Sequence, residues 1–220
     1  MMPEDLAKEP RPPMKIHGTR TQGSPRRLAV FLEEKGLAIP FVPVDLRGGE
    51  HRTPGFLAKN PLGLVPVLEL DDGTCLAETT SIARYLEELF PDPPFFGRDP
   101  LERARLDSAA RQVELGFYTA VRAWFRHGSP LARALEPVQI PAWSELARRQ
   151  ADDALRLLDR RLADHAFVAG PDFSWADITL VTSLEGTIAA GYAIPDDCPN
   201  VQRWFEATAA RPSVVATRPA

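Results

Sequence analysis

Cysteine is scarce in this chain. Of 220 residues only Cys75 and Cys198 carry a thiol, and they form no CxxC pair. That spacing excludes a disulfide framework and a cysteine-based metal site, so no metal is expected, and it suits a reducing cytoplasm. Excess positive charge is also missing. Twenty-six Lys and Arg face 30 Asp and Glu, a net charge of −4, which leaves no broad attraction for nucleic acid or an anionic membrane. Long apolar runs are absent too. The most apolar region, 176–195, carries Asp177 and Glu185, so no membrane span is expected. Residues 1–13 lack the apolar core of a signal peptide, and their charge and proline read as a disordered tail.

Proline, by contrast, is abundant: 22 residues in 220, about twice ordinary usage. Its distribution is uneven. Four fall within the first thirteen residues and four between Pro91 and Pro100, while 67–90, 101–129, 142–170, 172–194 and 200–211 have none. Proline disrupts helix interiors and central strands, so these gaps mark where regular structure belongs. Pro25, Pro141 and Pro199 stand where helices begin.

The two halves differ in pattern. In 14–90, KIH at 15–17, FVPVDL at 41–46, VPVLEL at 65–70 and TCLA at 74–77 read as strands, the last two flanking an Asp71-Asp72-Gly73 turn. SPRRLAVFLEEKG reads as a helix with Ser24 as N-cap, Pro25 at the first helical position and Gly36 as the stop. Further helices are expected at 53–59 and 79–89. The order β-α-β-α-β-β-α predicts a mixed sheet with helices packed on it. Beyond residue 100 the periodicity is helical. Leu106, Ala110, Val113, Phe117, Val121 and Trp124 form one stripe; Trp143, Ala147, Ala151, Ala154, Leu158 and Leu162 form another. Helices near 175–189 and 199–210 follow. The segment PDPPFFGRDP at 91–100 reads as a linker. The expected layout is therefore a tail (1–13), an α+β domain (14–90), a linker (91–100) and an all-helical domain (101–220).

Three segments draw chemical interest. In Asn60-Pro61-Leu62-Gly63-Leu64-Val65-Pro66-Val67-Leu68 a proline precedes a strand after a glycine-containing loop. A cis bond there would leave a backbone N–H and C=O open to a peptide-like ligand; the residues alone favour an ordinary trans proline. In Leu76-Ala77-Glu78-Thr79-Thr80-Ser81-Ile82 a carboxylate and hydroxyls meet at a strand-to-helix junction. Helix N–H groups there would attract a carboxylate and Glu78 an ammonium, although plain N-capping explains the same residues. In Phe173-Ser174-Trp175-Ala176-Asp177-Ile178 the Ser174/Asp177 spacing is a capping box with Phe173 and Ile178 at staple positions, a structural device.

In this order NPLGLVPVL, ETTSIARYLEE and FVAGPDFSWADITL resemble three motifs of the cytosolic glutathione transferases, over roughly 14–211. The resemblance implies an N-terminal thioredoxin-like domain with a mixed four-stranded sheet, an all-α C-terminal domain and, usually, a homodimer. It also implies a cis Val65–Pro66 bond. Glutathione would be the co-substrate. Val65 would bond its cysteinyl backbone, Glu78 and Thr79 its γ-glutamyl end. Gly49-Glu50-His51-Arg52 resembles the plant phi-class segment whose basic pair meets the glycyl carboxylate, which makes His51 and Arg52 candidates. Leu64 departs from the polar residue frequent in relatives.

A thiol with a pKa near 8.5 is only about 3% ionised at pH 7, so the reaction requires its pKa to fall, as helix N-termini can arrange. Relatives add a hydroxyl or thiol after the first strand. Here the first tyrosine is Tyr85 and the first cysteine Cys75, both too late in the chain, which leaves a serine or threonine; the resemblance implies a bacterial or phi-like member. Aligning LEEKG with serine-type relatives places Gln22 at the catalytic position. Ser24 leads the candidates, then Thr21, with Gln22 a third through its amide. Tyr118 and Phe125, off the Phe117/Trp124 stripe, are candidates to line a cleft for a small hydrophobic electrophile; core or dimer packing is the alternative for both. The expected reaction is glutathione transfer, or reduction of a peroxide or disulfide by bound glutathione. A protein-interaction module without turnover is the alternative, which Gln22 and Leu64 keep open. The serine/cysteine-rich loop of maleylacetoacetate isomerases is missing from this chain.

Overall fold

A computed structural model describes residues 14–219; the tail expected at 1–13 lies outside the described residues. The chain divides into two compact units with the break between Leu86 and Glu87, inside the helix Thr79–Leu89.

The first unit is a four-stranded mixed sheet in the order β2-β1-β3-β4, the thioredoxin-like arrangement expected. Strand β1 (Lys15–His17) runs parallel to β2 (Phe41–Val42) and antiparallel to β3 (Val67–Glu69), which pairs antiparallel with β4 (Cys75–Ala77). Two strands are shorter than expected, for one reason. Pro43 and Pro66 lack the N–H that a ladder needs, so β2 ends before Pro43 and β3 begins after Pro66. The β3–β4 turn closes as expected: Leu70 N–H donates to Thr74 O at 2.9 Å, Gly73 N–H donates to Leu70 O at 3.0 Å, and Gly73 takes φ 84°.

Helix α1 (Gly23–Lys35) buries Leu28, Ala29, Val30, Phe31 and Leu32 completely. Its start corrects the expected N-cap. Gln22 is the N-cap, extended at φ −136°, and Gly23 turns into the helix at φ 61°, so Ser24 is the second helical residue. A left-handed glycine moves the chain onto the helical path before serine is reached. Pro25 still lies in the first turn, where its missing N–H costs nothing. At the other end Gly36 (φ 64°) stops the helix, with Leu37 N–H donating to Leu32 O at 2.9 Å, the six-to-one bond of a Schellman cap. Short helix α2 (Pro54–Leu57) seats Phe56 against Val44 and Val67. Helix α3 (Thr79–Leu89) buries Ile82, Ala83 and Leu86.

The second unit is helical. Residues 91–100, expected as a linker, are fastened within it: the Glu87 carboxylate accepts the Phe95 and Phe96 N–H groups at 2.7 and 3.1 Å, and Phe96 stacks on Trp175 at 5.5 Å. Helices α4 (Pro100–Arg111) and α5 (Thr119–Gly128) are joined by a π-helical segment, Gln112–Tyr118, which the periodicity did not foretell. The Thr119 hydroxyl donates to the Glu114 carbonyl five residues back at 2.9 Å, matching the wider turn. In α6 (Pro141–Leu162) the buried stripe is Ala147, Ala151, Leu155, Leu158 and Leu162. Trp143, expected in that stripe, is 50% exposed and stacks on His127 at 4.9 Å instead. Helix α7 (Trp175–Ala189) is buried almost all round through its first ten residues. Helices α8 (Pro199–Ala209) and α9 (Pro212–Val215) complete the unit.

Asp177 knots this unit. Its Oδ1 accepts Val168 N–H at 2.9 Å and Trp204 Nε1–H at 3.0 Å; its Oδ2 accepts the Ser174 N–H at 3.0 Å and hydroxyl at 2.8 Å. Burial pushes this carboxyl up to about 6, against the pull of its donors. An amide of the same shape would set its NH2, in either orientation, against at least one N–H that can only donate. Asp177→Asn is therefore expected to lower stability by about 2–4 kcal/mol, read from urea unfolding at neutral pH. A loss below about 0.5 kcal/mol, within the range of ordinary surface changes, would contradict this.

Candidate active site

Within the first unit, the end of β1, the first turn of α1 and the residue before Pro66 abut one another. Gly18, just after β1, has φ 145°; a Cβ there would lie 2.8 Å from Pro25 Cγ and 3.6 Å from Val65 Cβ. No larger residue fits this junction. The Val65–Pro66 bond is cis, as the family resemblance implied and the residues alone did not. Val65 stands outside β3 and is half-buried, and among the described residues its N–H and C=O make no hydrogen bond. A half-buried peptide with both groups open has the hydrogen-bonding capacity to pair with an extended, peptide-like chain.

Glu78 has φ 69°, the only positive value at a non-glycine among the described residues. For a glutamate this left-handed conformation costs about 1–3 kcal/mol and marks functional positions. Its carbonyl accepts Ile82 N–H at 2.9 Å, which places Glu78 at the mouth of α3. The Glu78 side chain is exposed, Thr79 beside it is buried, and the first turn of α3 has no acid. The result is an exposed carboxylate next to helix N–H groups that favour an anion, a pairing suited to the ammonium and carboxylate of an α-amino acid.

His51 and Arg52 lie in a 3-10 turn, Glu50–Arg52, pressed on the loop before Val65. Arg52 Nη1 donates to Leu62 O at 3.3 Å, and a Cβ on Gly63 (φ 62°) would fall 2.8 Å from His51 O. The His51 Nδ1 atom is buried without a partner. Both basic residues thus border the loop, Arg52 already holding a backbone carbonyl.

Thr21, Gln22 and Ser24 cluster at the start of α1. Gln22 is exposed; Thr21 and Ser24 are half-buried. The first turn of α1 carries no acid, so its free N–H groups favour an anion. Burial pushes the Cys75 thiol above its ordinary value, which disfavours its thiolate. In the second unit Tyr118 closes the π segment under the Arg122 guanidinium, 5.6 Å from the ring centroid. Tyr118 and Phe125 are half-buried, whereas Phe117 is fully buried and, with Trp124, packs edge-on against Tyr192 at 6.1 and 5.6 Å. Among the described residues no group of three His, Cys, Asp or Glu is placed to hold a metal ion.

One cluster escaped the sequence reading. Glu69, at the end of β3, meets Lys15 at 3.0 Å, His17 at 2.6 Å and Lys59 at 2.5 Å. It ties β1 and β3 to the chain just after α2, the roots of the Gly18 junction and of the loop before Val65. The only signal available was a glutamate in an otherwise apolar strand.

Residues 24–89 match the family "Glutathione S-transferase, N-terminal domain" and residues 141–207 match "Glutathione S-transferase, C-terminal domain". Glutathione S-transferase 2 of Saccharomyces cerevisiae is 36% identical over 204 residues, 91% of this chain and 88% of its own. Maleylacetoacetate isomerase of Pseudomonas aeruginosa is 30% identical over 214 residues, 94% of this chain and 96% of its own. A crystal structure of a glutathione S-transferase domain-containing protein from Marinobacter aquaeolei superposes with a TM-score of 0.86 at 40% identity, over 91% of this chain and 99% of that one.

Hydrogen bonds from Lys59, Lys15 and His17 hold the Glu69 carboxyl down to about 2, against 4.5 for the free group. A depressed carboxyl stabilises the fold fully above its unfolded value and loses that contribution as pH falls through the folded one. Acid melts should therefore show a component lost between about 4.5 and about 2. Glu69→Gln should remove it, costing about 1–2 kcal/mol at neutral pH after solvent screening. Thermal melts followed by circular dichroism against pH provide the check, and parallel acid limbs for the two proteins would contradict it.

Proposed function

Since the chain belongs to the glutathione S-transferase family, we propose that its first unit binds glutathione and ionises the thiol for attack on a small electrophile. The observation that carries this is the open Val65 peptide abutting the first turn of α1. On this reading Val65, set by Pro66, bonds the cysteinyl backbone in the manner of an added strand. Glu78 takes the γ-glutamyl ammonium, while Thr79 and the α3 N–H groups take its carboxylate. His51 and Arg52 meet the glycyl carboxylate.

This arrangement directs the sulfur towards α1. Lowering the thiol pKa by about two units converts it mostly to thiolate near neutral pH. The α1 N-terminus supplies part of that shift, and a hydroxyl of Ser24 or Thr21, or the Gln22 amide, supplies a hydrogen bond to sulfur. The proton leaves to solvent, a carbon–sulfur bond forms, and the electrophile's leaving group departs with the displaced electron pair. Tyr118 and Phe125 are assigned to the apolar electrophile. The reading carries with it a cytoplasmic homodimer, in keeping with two free cysteines.

Titration calorimetry with glutathione tests the foundation: binding is expected, and no heat at millimolar concentration would overturn it. Thiolate absorbance of the bound ligand should titrate about two units below that of free glutathione. Glu78→Ala should weaken glutathione about tenfold. Ser24→Ala should slow turnover about tenfold or more; an unchanged rate would move the thiol contact to Thr21 or Gln22. For Phe125→Ala the KM of the electrophile should rise while that of glutathione stays put.

A further inference from the structure

The Val65 N–H is one end of a peptide group whose other end is the Leu64 carbonyl. The group is planar, so whatever holds the Leu64 oxygen also aims the Val65 N–H. Asn60 Nδ2 donates to that oxygen at 2.8 Å. The same side chain accepts Leu62 N–H at Oδ1, at 3.1 Å. Its own carbonyl accepts Gly63 N–H at 2.9 Å, and its N–H donates to Phe56 O at 3.0 Å. Asn60 is 3% exposed, so its own side chain is shielded from water. Four hydrogen bonds from one residue close the loop 60–64 on itself and fasten it to α2. The neighbouring Lys59 fixes its root on Glu69.

We propose that Asn60 is the positioning residue of the glutathione site, setting both the direction and the donor strength of the Val65 N–H. The inference rests on the glutathione reading given above. Direction follows from planarity. Strength follows from polarisation: a donor on the Leu64 oxygen draws electron density from the peptide and makes its N–H a better donor to the ligand. Few side chains can substitute. The loop needs a donor for the Leu64 oxygen and an acceptor for the Leu62 N–H at the same short reach, which asparagine provides. Ionised aspartate would accept at both ends and repel the Leu64 carbonyl. Protonated aspartic acid would restore the pattern, with O–H donating to Leu64 and C=O accepting from Leu62.

Two variants test this, with 1-chloro-2,4-dinitrobenzene as the electrophile probe and glutathione affinity by calorimetry. Asn60→Ala should raise the KM and Kd for glutathione about tenfold. The KM for the probe should change less than about twofold, with kcat at saturating glutathione largely kept, the pattern of lost ground-state binding. Asn60→Asp should bind glutathione about tenfold more weakly than wild type near pH 8 and approach wild-type affinity near pH 5, each compared at equal pH. A merely structural role would not produce that recovery. If Asn60→Ala fails to fold, the pH profile of Asn60→Asp decides alone. Folded Asn60→Ala with wild-type glutathione affinity, equal rises in both KM values, or Asn60→Asp without recovery would each overturn the role of Asn60. Wild-type protein that binds no glutathione would instead overturn the functional reading itself.

Discussion

Pro66 has no N–H, and much of the first unit's chemistry follows from that omission. A sheet ladder ends where a donor is missing, so β3 begins at Val67 and the Val65 peptide is left outside it. Backbone groups removed from a ladder and half-buried have to find another partner. The fold surrounds this one with order: Gly18 lets β1 and α1 come close, and Gly63 lets the preceding loop lie on the turn at His51. On the proposed reading the binding surface is backbone, and the side chains around it mainly keep it in place.

In the second unit buried carboxylates do the organising. Asp177, in α7, gathers donors from the segment before that helix and from α8. Asp159 in α6 accepts the Asn200 and Val201 N–H groups at 2.7 and 2.9 Å, capping α8 from a distant helix. Each carboxylate satisfies N–H groups that would otherwise be buried unpaired, and each links segments far apart in the chain. Packing stripes give these helices their apolar contacts, while the carboxylates fix how the helices register against one another.

Much of this was legible in the chain. The succession of strands and helices along the chain, the Gly36 stop and the Ser174/Asp177 box follow from local residue chemistry, and the structure has them. Ser24 as an N-cap did not hold, because a left-handed Gly23 starts the helix earlier. Trp143 fitted the helical period yet lies outside, stacked on a histidine from another helix. The π segment was hidden because one extra residue per turn barely disturbs an apolar stripe. Glu69 was hidden for another reason: its three partners come from separate stretches, and their meeting depends on sheet register. The cis bond at Pro66 shows the same limit, since family resemblance implied it where the local residues favoured trans.

Glu78 illustrates a different kind of constraint. Glycine at that position would relax the left-handed backbone and remove the strain at the mouth of α3. It would also delete the exposed carboxylate. Stability alone would favour the smaller residue there; on the proposed reading the glutamate is present for its charge. Engineering that raises melting temperature by easing strained positions would choose Glu78 first, and on the proposed reading it would trade ligand affinity for a sturdier fold.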